Sequence, residues 1–317
     1  MAIKCPGREM HASREGGGGR RNRSRMPRAA VLLRGLRLAF TLALCGCGRE
    51  VAPVIPEAVG PVRLVSLAPS LTEIIFAIGA GDRLVGRTDV CDWPPEAAAV
   101  PVVGSFGRPV LDALLRQRPT LVLTTDLEDE AALGTLERYG IAHRRIPCNT
   151  LDEIAPALRE VGRLAGEAAA GWQAGDALAA ELVRLRGEAA WDGRRPSVFV
   201  EIWGDPLMTA GRRSFVAELV RLAGGSNLAD TVDADYFTVS PEWVVARDPE
   251  MIFCLYMSRD TQAVRRVAQR VGWQSVRAVR ADAVYDGFSA DLLFRPGPRV
   301  LDGVAELRAR LRGRDDD

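Results

Sequence analysis

One stretch of twelve residues recurs 130 positions further along the chain, and no other feature of the sequence constrains the fold as much. Asp112-Ala113-Leu114-Leu115-Arg116-Gln117-Arg118-Pro119-Thr120-Leu121-Val122-Leu123 aligns without a gap on Glu242-Trp243-Val244-Val245-Ala246-Arg247-Asp248-Pro249-Glu250-Met251-Ile252-Phe253. In each copy a carboxylate opens a two-turn helix, a proline sits seven residues later, and an apolar strand follows. A helix feeding a strand is the building step of an α/β layer, so two copies predict two equivalent α/β halves. A carboxylate in a first helical turn is favoured by the helix dipole. Dipole preference does not require the same place in both halves, which makes Asp112 and Glu242 candidates for a shared surface role. The 317 residues leave room for two domains of roughly 100–200 residues each.

The intervening pattern supplies the other elements. Arg63–Leu67 reads as a strand, and Ser70 and Glu73 have capping-box spacing ahead of one apolar face (Leu71, Ile74, Ile75, Ile78) that Gly79 closes. Strands at Leu84–Gly86, Leu121–Thr124 and Arg144–Ile146 alternate with helices over Asp129–Tyr139 and from a second capping box, Thr150 with Glu153, to about Leu164. Glu167–Ala190 differs: it is Ala-rich, carries Trp172, Leu178, Leu182 and Leu185 at helical spacings and lacks proline. It predicts one helix some 36 Å long at about 1.5 Å per residue. Alternation then resumes with Val198–Ile202, Phe215–Ala223, Met251–Leu255, Thr261–Val271, Ala283–Tyr285 and a last helix from Arg299. The expected fold is α/β: two doubly wound, Rossmann-like lobes with parallel strands, bridged by one long rigid helix. The boundaries are a leader over 1–46, a tether over 47–61, an N-terminal lobe over 62–166, the bridging helix over 167–192 and a C-terminal lobe over 193–317.

The leader reads as an address. Residues 1–25 are rich in Gly and Arg and have the look of an upstream extension, and 26–46 have the form of a signal peptide. After Met26 come Arg28, Arg34 and Arg37, then the short apolar run Leu38–Leu44 and Cys45-Gly46-Cys47. That run falls far short of the ~20 residues a membrane-spanning helix needs. Leu44-Cys45-Gly46-Cys47 resembles a bacterial lipobox, which implies lipidation at Cys47, a tether through Pro53, Pro56 and Pro61, and an extracytoplasmic site, in the periplasm or on the outer cell surface. Of the remaining cysteines, Cys91, Cys148 and Cys254 have no CxxC spacing and cannot all pair within one chain. Small buried hydrophobes are the simplest reading of them.

Composition removes whole classes of function. After residue 46 the chain holds 32 basic and 39 acidic side chains, a poor match to nucleic-acid phosphates. Lys4 is the only lysine, so neither a Walker A loop nor a Schiff-base lysine exists beyond the leader. His11 and His143 are the only histidines, too few for a zinc or haem centre built on paired histidines, and no resident metal or cofactor is expected. Asp92, Glu201 and Asp205 could in principle do acid–base work, but they have no motif spacing and no partner base.

Several segments resemble one family in both order and spacing. They are Leu64-Val65-Ser66-Leu67-Ala68-Pro69-Ser70-Leu71-Thr72-Glu73, Pro101-Val102-Val103-Gly104-Ser105, the Asp112–Leu123 unit, Met208-Thr209-Ala210-Gly211 with Gly224-Gly225-Ser226-Asn227, and Arg295-Pro296-Gly297-Pro298-Arg299. Together they resemble the periplasmic binding proteins that serve iron–siderophore, haem and cobalamin ABC importers. That resemblance implies two lobes on a rigid helix, a monomer without catalytic residues, and an ABC permease dimer with its ATPase as partner. It also implies that Asp112 and Glu242 dock to the two permease subunits. Within the family, Cys91-Asp92-Trp93-Pro94-Pro95-Glu96 is similar to the cobalamin-binding branch, while Val90 and Phe294 depart from residues found there. The resemblance implies ligand contacts at Pro69, Ser70, Trp93, Phe106, Trp203, Tyr236 and Arg295. Large aromatic faces suit the apolar rim of a corrinoid. A ferric siderophore or haem is the alternative ligand; a sensor without transport and a carboxylate-based enzyme are further readings.

Overall fold

A computed structural model describes residues 61–128, 130–189, 193–257 and 262–313. The leader, Cys47 and all of the tether except residue 61 lie outside the described residues. The first half runs β1 (Leu64–Ser66), α1 (Pro69–Ala77), β2 (Leu84–Thr88), β3 (Val102–Ser105), β4 (Arg108–Pro109), α2 (Leu111–Arg116), β5 (Leu121–Thr124), α3 (Glu130–Arg138), β6 (His143–Arg145) and α4 (Leu151–Ala165). Helix α5 (Ala168–Ala189) follows. The second half holds β7 (Ser197–Gly204), β8 (Leu207–Ala210), α6 (Phe215–Ala223), β9 (Ser226–Asn227), β10 (Tyr236–Thr238), α7 (Pro241–Arg247) and β11 (Met251–Cys254). It closes with α8 (Ala263–Gln269), α9 (Arg277–Arg280), β12 (Val284–Tyr285), α10 (Ala290–Phe294) and α11 (Val300–Arg312).

Each half builds one sheet. The first has the order β4-β3-β2-β1-β5-β6 and the second β10-β8-β7-β11-β12, with β9 paired to β7. Central strands such as β5 and β11 are buried at every position, as strands covered by helices on both faces must be. The expected all-parallel lobes need correcting at the edges. β4 returns antiparallel on β3, β8 runs antiparallel to β7, and β10 runs antiparallel to β8 on its far side. Short turns join β3 to β4 and β7 to β8, so the alternation that reveals a crossover helix leaves those pairs unmarked, while the chain reaches β10 only after α6 and β9.

The repeat is structural as well as sequential. β5 lies between β1 and β6 as β11 lies between β7 and β12, all parallel. The residue before each repeat proline, Arg118 and Asp248, adopts the left-handed region with φ of 46° and 44°. For a non-glycine side chain that conformation is uncommon, and it gives the two equivalent loops the same local geometry.

α1 does not use the expected capping box. Ala68 is its N-cap and Pro69 its first residue, where a missing N–H costs nothing. Ser70 therefore sits inside the first turn and Glu73 is freed for another partner. α4 does use its box: Glu153 Oε2 accepts from the Thr150 N–H at 3.2 Å and from the Asn149 N–H at 2.7 Å.

α5 spans 22 residues, about 33 Å. Gly162 and Gly171 let α4 and α5 meet backbone to backbone: a methyl group at Gly171 would lie 2.7 Å from the Leu158 carbonyl oxygen. Leu178, Leu182 and Leu185 face a continuous apolar core that takes in residues of both halves, from Leu64 to Leu311. Trp172 turns outward under the Arg159 guanidinium, 4.9 Å from its ring centre. No described helix is long and apolar enough to cross a membrane.

Candidate functional site

The carboxyl ends of β1 and β2, and of β7 and β11, are where α/β sheets present ligand-binding loops. The segment Asp92–Trp93 follows β2, and Trp203 stands near the end of β7. Both tryptophans are large apolar groups left exposed, and both are held from behind. The Arg299 guanidinium lies 4.4 Å from the centre of the Trp93 ring. Trp203 Nε1 donates to the Asp205 carbonyl at 2.6 Å.

Trp93 belongs to a network that joins the two halves. Glu73 of α1, almost fully buried, accepts from Arg299 at 2.6 and 2.9 Å and lies 3.6 Å from Arg295. Arg295 also reaches Asp92 at 2.6 Å and Asp291 at 2.7 Å. Partial burial works to raise the Asp92 pKa, but the hydrogen bond and charge of Arg295 outweigh it and hold the carboxyl below its ordinary value. A depressed carboxyl keeps its pairing above its unfolded pKa and loses it only as pH falls through the lowered one. The Asp92–Arg295 link therefore stands throughout the neutral range.

Cys148 adds a further tie, its thiol donating to the Pro296 carbonyl at 2.8 Å. Burial, with the Glu153 charge, pushes that thiol up to about 12. Cys91, Cys148 and Cys254 are all buried and free, consistent with the small-hydrophobe reading.

The expected contact residues divide into groups. Ser70, Trp93 and Arg295 come together around Glu73 and the 295–299 turn, where a methyl group on Gly297 would lie 3.8 Å from the Ser70 Cα. Pro69 and Ser70 are themselves buried, and Arg295 is engaged by carboxylates. Phe106, in the turn after β3, and Tyr236 are half-buried against the shared core. Tyr236 opens β10 at the sheet edge rather than following a strand. Burial and the Asp235 charge push its phenol up to about 12.

Trp203 stands in a different neighbourhood, a cavity of ≈ 550 Å³ shared with Tyr256, Arg266 and Arg270. Glu201, fully buried, binds Arg270 through both carboxylate oxygens and accepts from the Tyr256 hydroxyl. Glu201 is thus committed to an ion pair and is not placed for acid–base work. Glu73, Asp291, Arg299 and Tyr256 escaped the sequence reading. The Arg295–Arg299 motif contained the signal for two of them, because buried arginines require carboxylate partners.

Asp112 and Glu242 are exposed in the first turns of α2 and α7. The Glu242 carboxyl is held below its ordinary value by its own backbone N–H and by Ser240. Among the described residues no group of three or more His, Cys, Asp or Glu side chains could hold a metal ion.

The two-sheet, helix-bridged architecture and the family's sequence pattern coincide. Residues 64–289 match the family model of periplasmic binding proteins, and the chain belongs to that family. An uncharacterised ABC transporter substrate-binding lipoprotein of Bacillus subtilis, YvrC, is 29% identical over 254 residues, 78% of this chain and 79% of that protein. The vitamin B12-binding protein of Vibrio cholerae is 28% identical over 247 residues, covering 77% of this chain and 87% of its own. Among solved structures, the periplasmic vitamin B12-binding protein BtuF of V. cholerae superposes with a TM-score of 0.67 at 28% identity, over 80% of this chain and 98% of that one. The periplasmic haem-binding protein RhuT of Roseiflexus sp. RS-1 superposes with a TM-score of 0.70 at 25% identity, over 80% and 99%.

Proposed function

We propose that this chain is the extracytoplasmic receptor of an ABC importer, tethered through a lipid on Cys47, and that it captures cobalamin or another corrinoid between its lobes for delivery to the permease. The observation that carries this reading is the pair of exposed tryptophans, Trp93 and Trp203, one on each half at the carboxyl ends of its sheet and each fixed by its own polar contact. Exposed aromatics held in place lose little entropy when they bury a large ring. Phe106 and Tyr236 extend that apolar surface. Pro69 and Ser70 carry the floor beneath it, and Arg295 holds the loop that presents Trp93. The chain acts by binding, without catalysis.

One feature favours a corrinoid over haem: His143, the only histidine beyond the leader, opens β6 at the amino end of its strand, whereas Trp93 follows the carboxyl end of β2 in the same parallel set. The likeness to a haem-binding structure supports a second reading, a haem or ferric-siderophore receptor of the same build. Reconstituted uptake tests the receptor role. Vesicles containing the partner permease and ATPase should accumulate labelled cobalamin only when this protein is supplied, and accumulation that ignores the protein would reject the proposal.

A further inference from the structure

The two helices that carry Asp112 and Glu242 share more than a carboxylate. On α2, Asp112, Leu115 and Arg116 are three and four positions apart and so occupy one face, with Val110 just ahead of the helix. Val110 and Leu115 are exposed. On the other half the 271–275 turn packs beside α7. A methyl group on Gly272 would lie 4.0 Å from Val245 Cγ2, and the Ala278 N–H of α9 donates to the Pro249 carbonyl at 3.0 Å. That turn holds Val271 outward, 93% exposed. Each half thus sets exposed aliphatic side chains and arginines around one acid. Between residues 261 and 281 there are five arginines and no acid, although the chain beyond residue 46 holds 32 basic against 39 acidic side chains. Arg116, Arg118, Arg247 and Arg280 are exposed, and among the described residues none of the four stands in an ion pair. Elsewhere exposed arginines find acids, as Arg184 does in Glu181 and Arg212 in Asp233. A protein patch basic enough to attract Asp112 and Glu242 would repel these four. A layer of phosphates would not: a guanidinium binds phosphate through paired N–H donors, and aliphatic tips enter the acyl boundary beneath.

We infer that these two faces rest on anionic phospholipid headgroups, so that the tethered receptor lies on the bilayer with Asp112 and Glu242 turned to the membrane. The inference rests on the extracytoplasmic, tethered placement proposed above and not on which ligand is carried. Vesicle flotation tests it on the processed chain from residue 48, which lacks only the lipidated Cys47 and keeps the whole core. The chain should float with vesicles of equal parts phosphatidylglycerol and phosphatidylcholine, stay behind with phosphatidylcholine alone, and detach as salt rises. The acidic balance of the chain predicts repulsion from anionic vesicles, so capture there requires a local basic face. Arg116→Gln and Arg280→Gln, one on each half, should each weaken capture about fivefold while melting temperature and cobalamin affinity hold. Asp112→Ala combined with Glu242→Ala should tighten capture, because it removes charge that the headgroups repel. No capture by the anionic vesicles, or capture that ignores both arginine changes, would overturn the inference. Arginine changes that weaken only binding to the detergent-solubilised permease would overturn it too, by giving these side chains a protein partner. Each of those results leaves the receptor reading, which cobalamin uptake tests, where it stands.

Discussion

Glu73 and Arg299 are 226 positions apart in the chain and 2.6 Å apart in space. From the sequence, Glu73 reads as the far half of a capping box, because local spacing is visible and a partner two hundred residues away is not. The structure gives α1 a proline start and turns the carboxylate to Arg299, which in turn stacks on Trp93. The residue misread as a cap thus anchors the loop that carries Trp93, one of the expected contacts. The candidates drawn from the resemblance fare unevenly. Trp93 and Trp203 are exposed, Phe106 and Tyr236 half-buried, and Pro69 and Ser70 buried. Binding should follow that order of access. Trp203→Ala and Phe106→Ala should each weaken cobalamin binding by about 1–3 kcal/mol, the worth of a well-packed aromatic contact, measured by calorimetry on folded variants. Unchanged dissociation constants in both would move the ligand away from these residues. The cysteines allow a simpler check. Cys148, pushed up to about 12, and Cys254, also raised by burial, should resist alkylation in the native protein at pH 8 and react only after unfolding. A raised thiol pKa contributes stability that is whole below the unfolded value near 9 and is lost as pH climbs toward about 12. Cys148→Ser should accordingly flatten the alkaline fall in melting temperature.

At the scale of elements, the most legible parts were those with local signatures. α6 lies over Phe215–Ala223 and β5 over Leu121–Thr124, where periodicity and turn residues placed them. The helix between the halves begins at Ala168, one residue into its Ala-rich run, and is described through Ala189. The strands that escaped, among them β4, β8 and β10, are two to four residues long, and so short a run leaves little periodicity to read. The contact between α4 and α5 was also hidden, because it depends on which glycines face each other. A methyl group at Gly171 would sit 2.7 Å from the Leu158 oxygen and 2.9 Å from the Gly162 Cα, backbone atoms that cannot swing away. Alanine would gain about 1 kcal/mol of helix propensity but meet an overpacking cost of about 1–3 kcal/mol. Gly171→Ala should therefore lower the denaturant midpoint, whereas Gly187→Ala on the same helix, with nothing within 4 Å, should raise it. A stabilised Gly171→Ala would mean that α4 and α5 are not packed this closely.

For the whole molecule, the 130-residue repeat matters most because it survives as geometry. α2 and α7 occupy matching places, are each followed by a left-handed residue just before the repeat proline, and expose Asp112 and Glu242 in their first turns. We propose that these carboxylates meet a basic patch repeated on the two permease subunits, as a symmetric partner would present it. Such exposed charge pairs set orientation and association rate and weaken with salt. Asp112→Ala combined with Glu242→Ala should leave cobalamin affinity unchanged and cut reconstituted uptake several-fold. Normal uptake with a lowered melting temperature would reduce the two acids to helix-end charges. All of this presupposes the ligand, and ligand identity is the claim most directly open to measurement. Absorbance titration of the protein with hydroxocobalamin, haemin and a ferric hydroxamate siderophore, each alone and then in competition, decides it. The account predicts saturable binding of one cobalamin per chain that haemin and the siderophore fail to displace; saturable binding of haemin or the siderophore with none of cobalamin would contradict it.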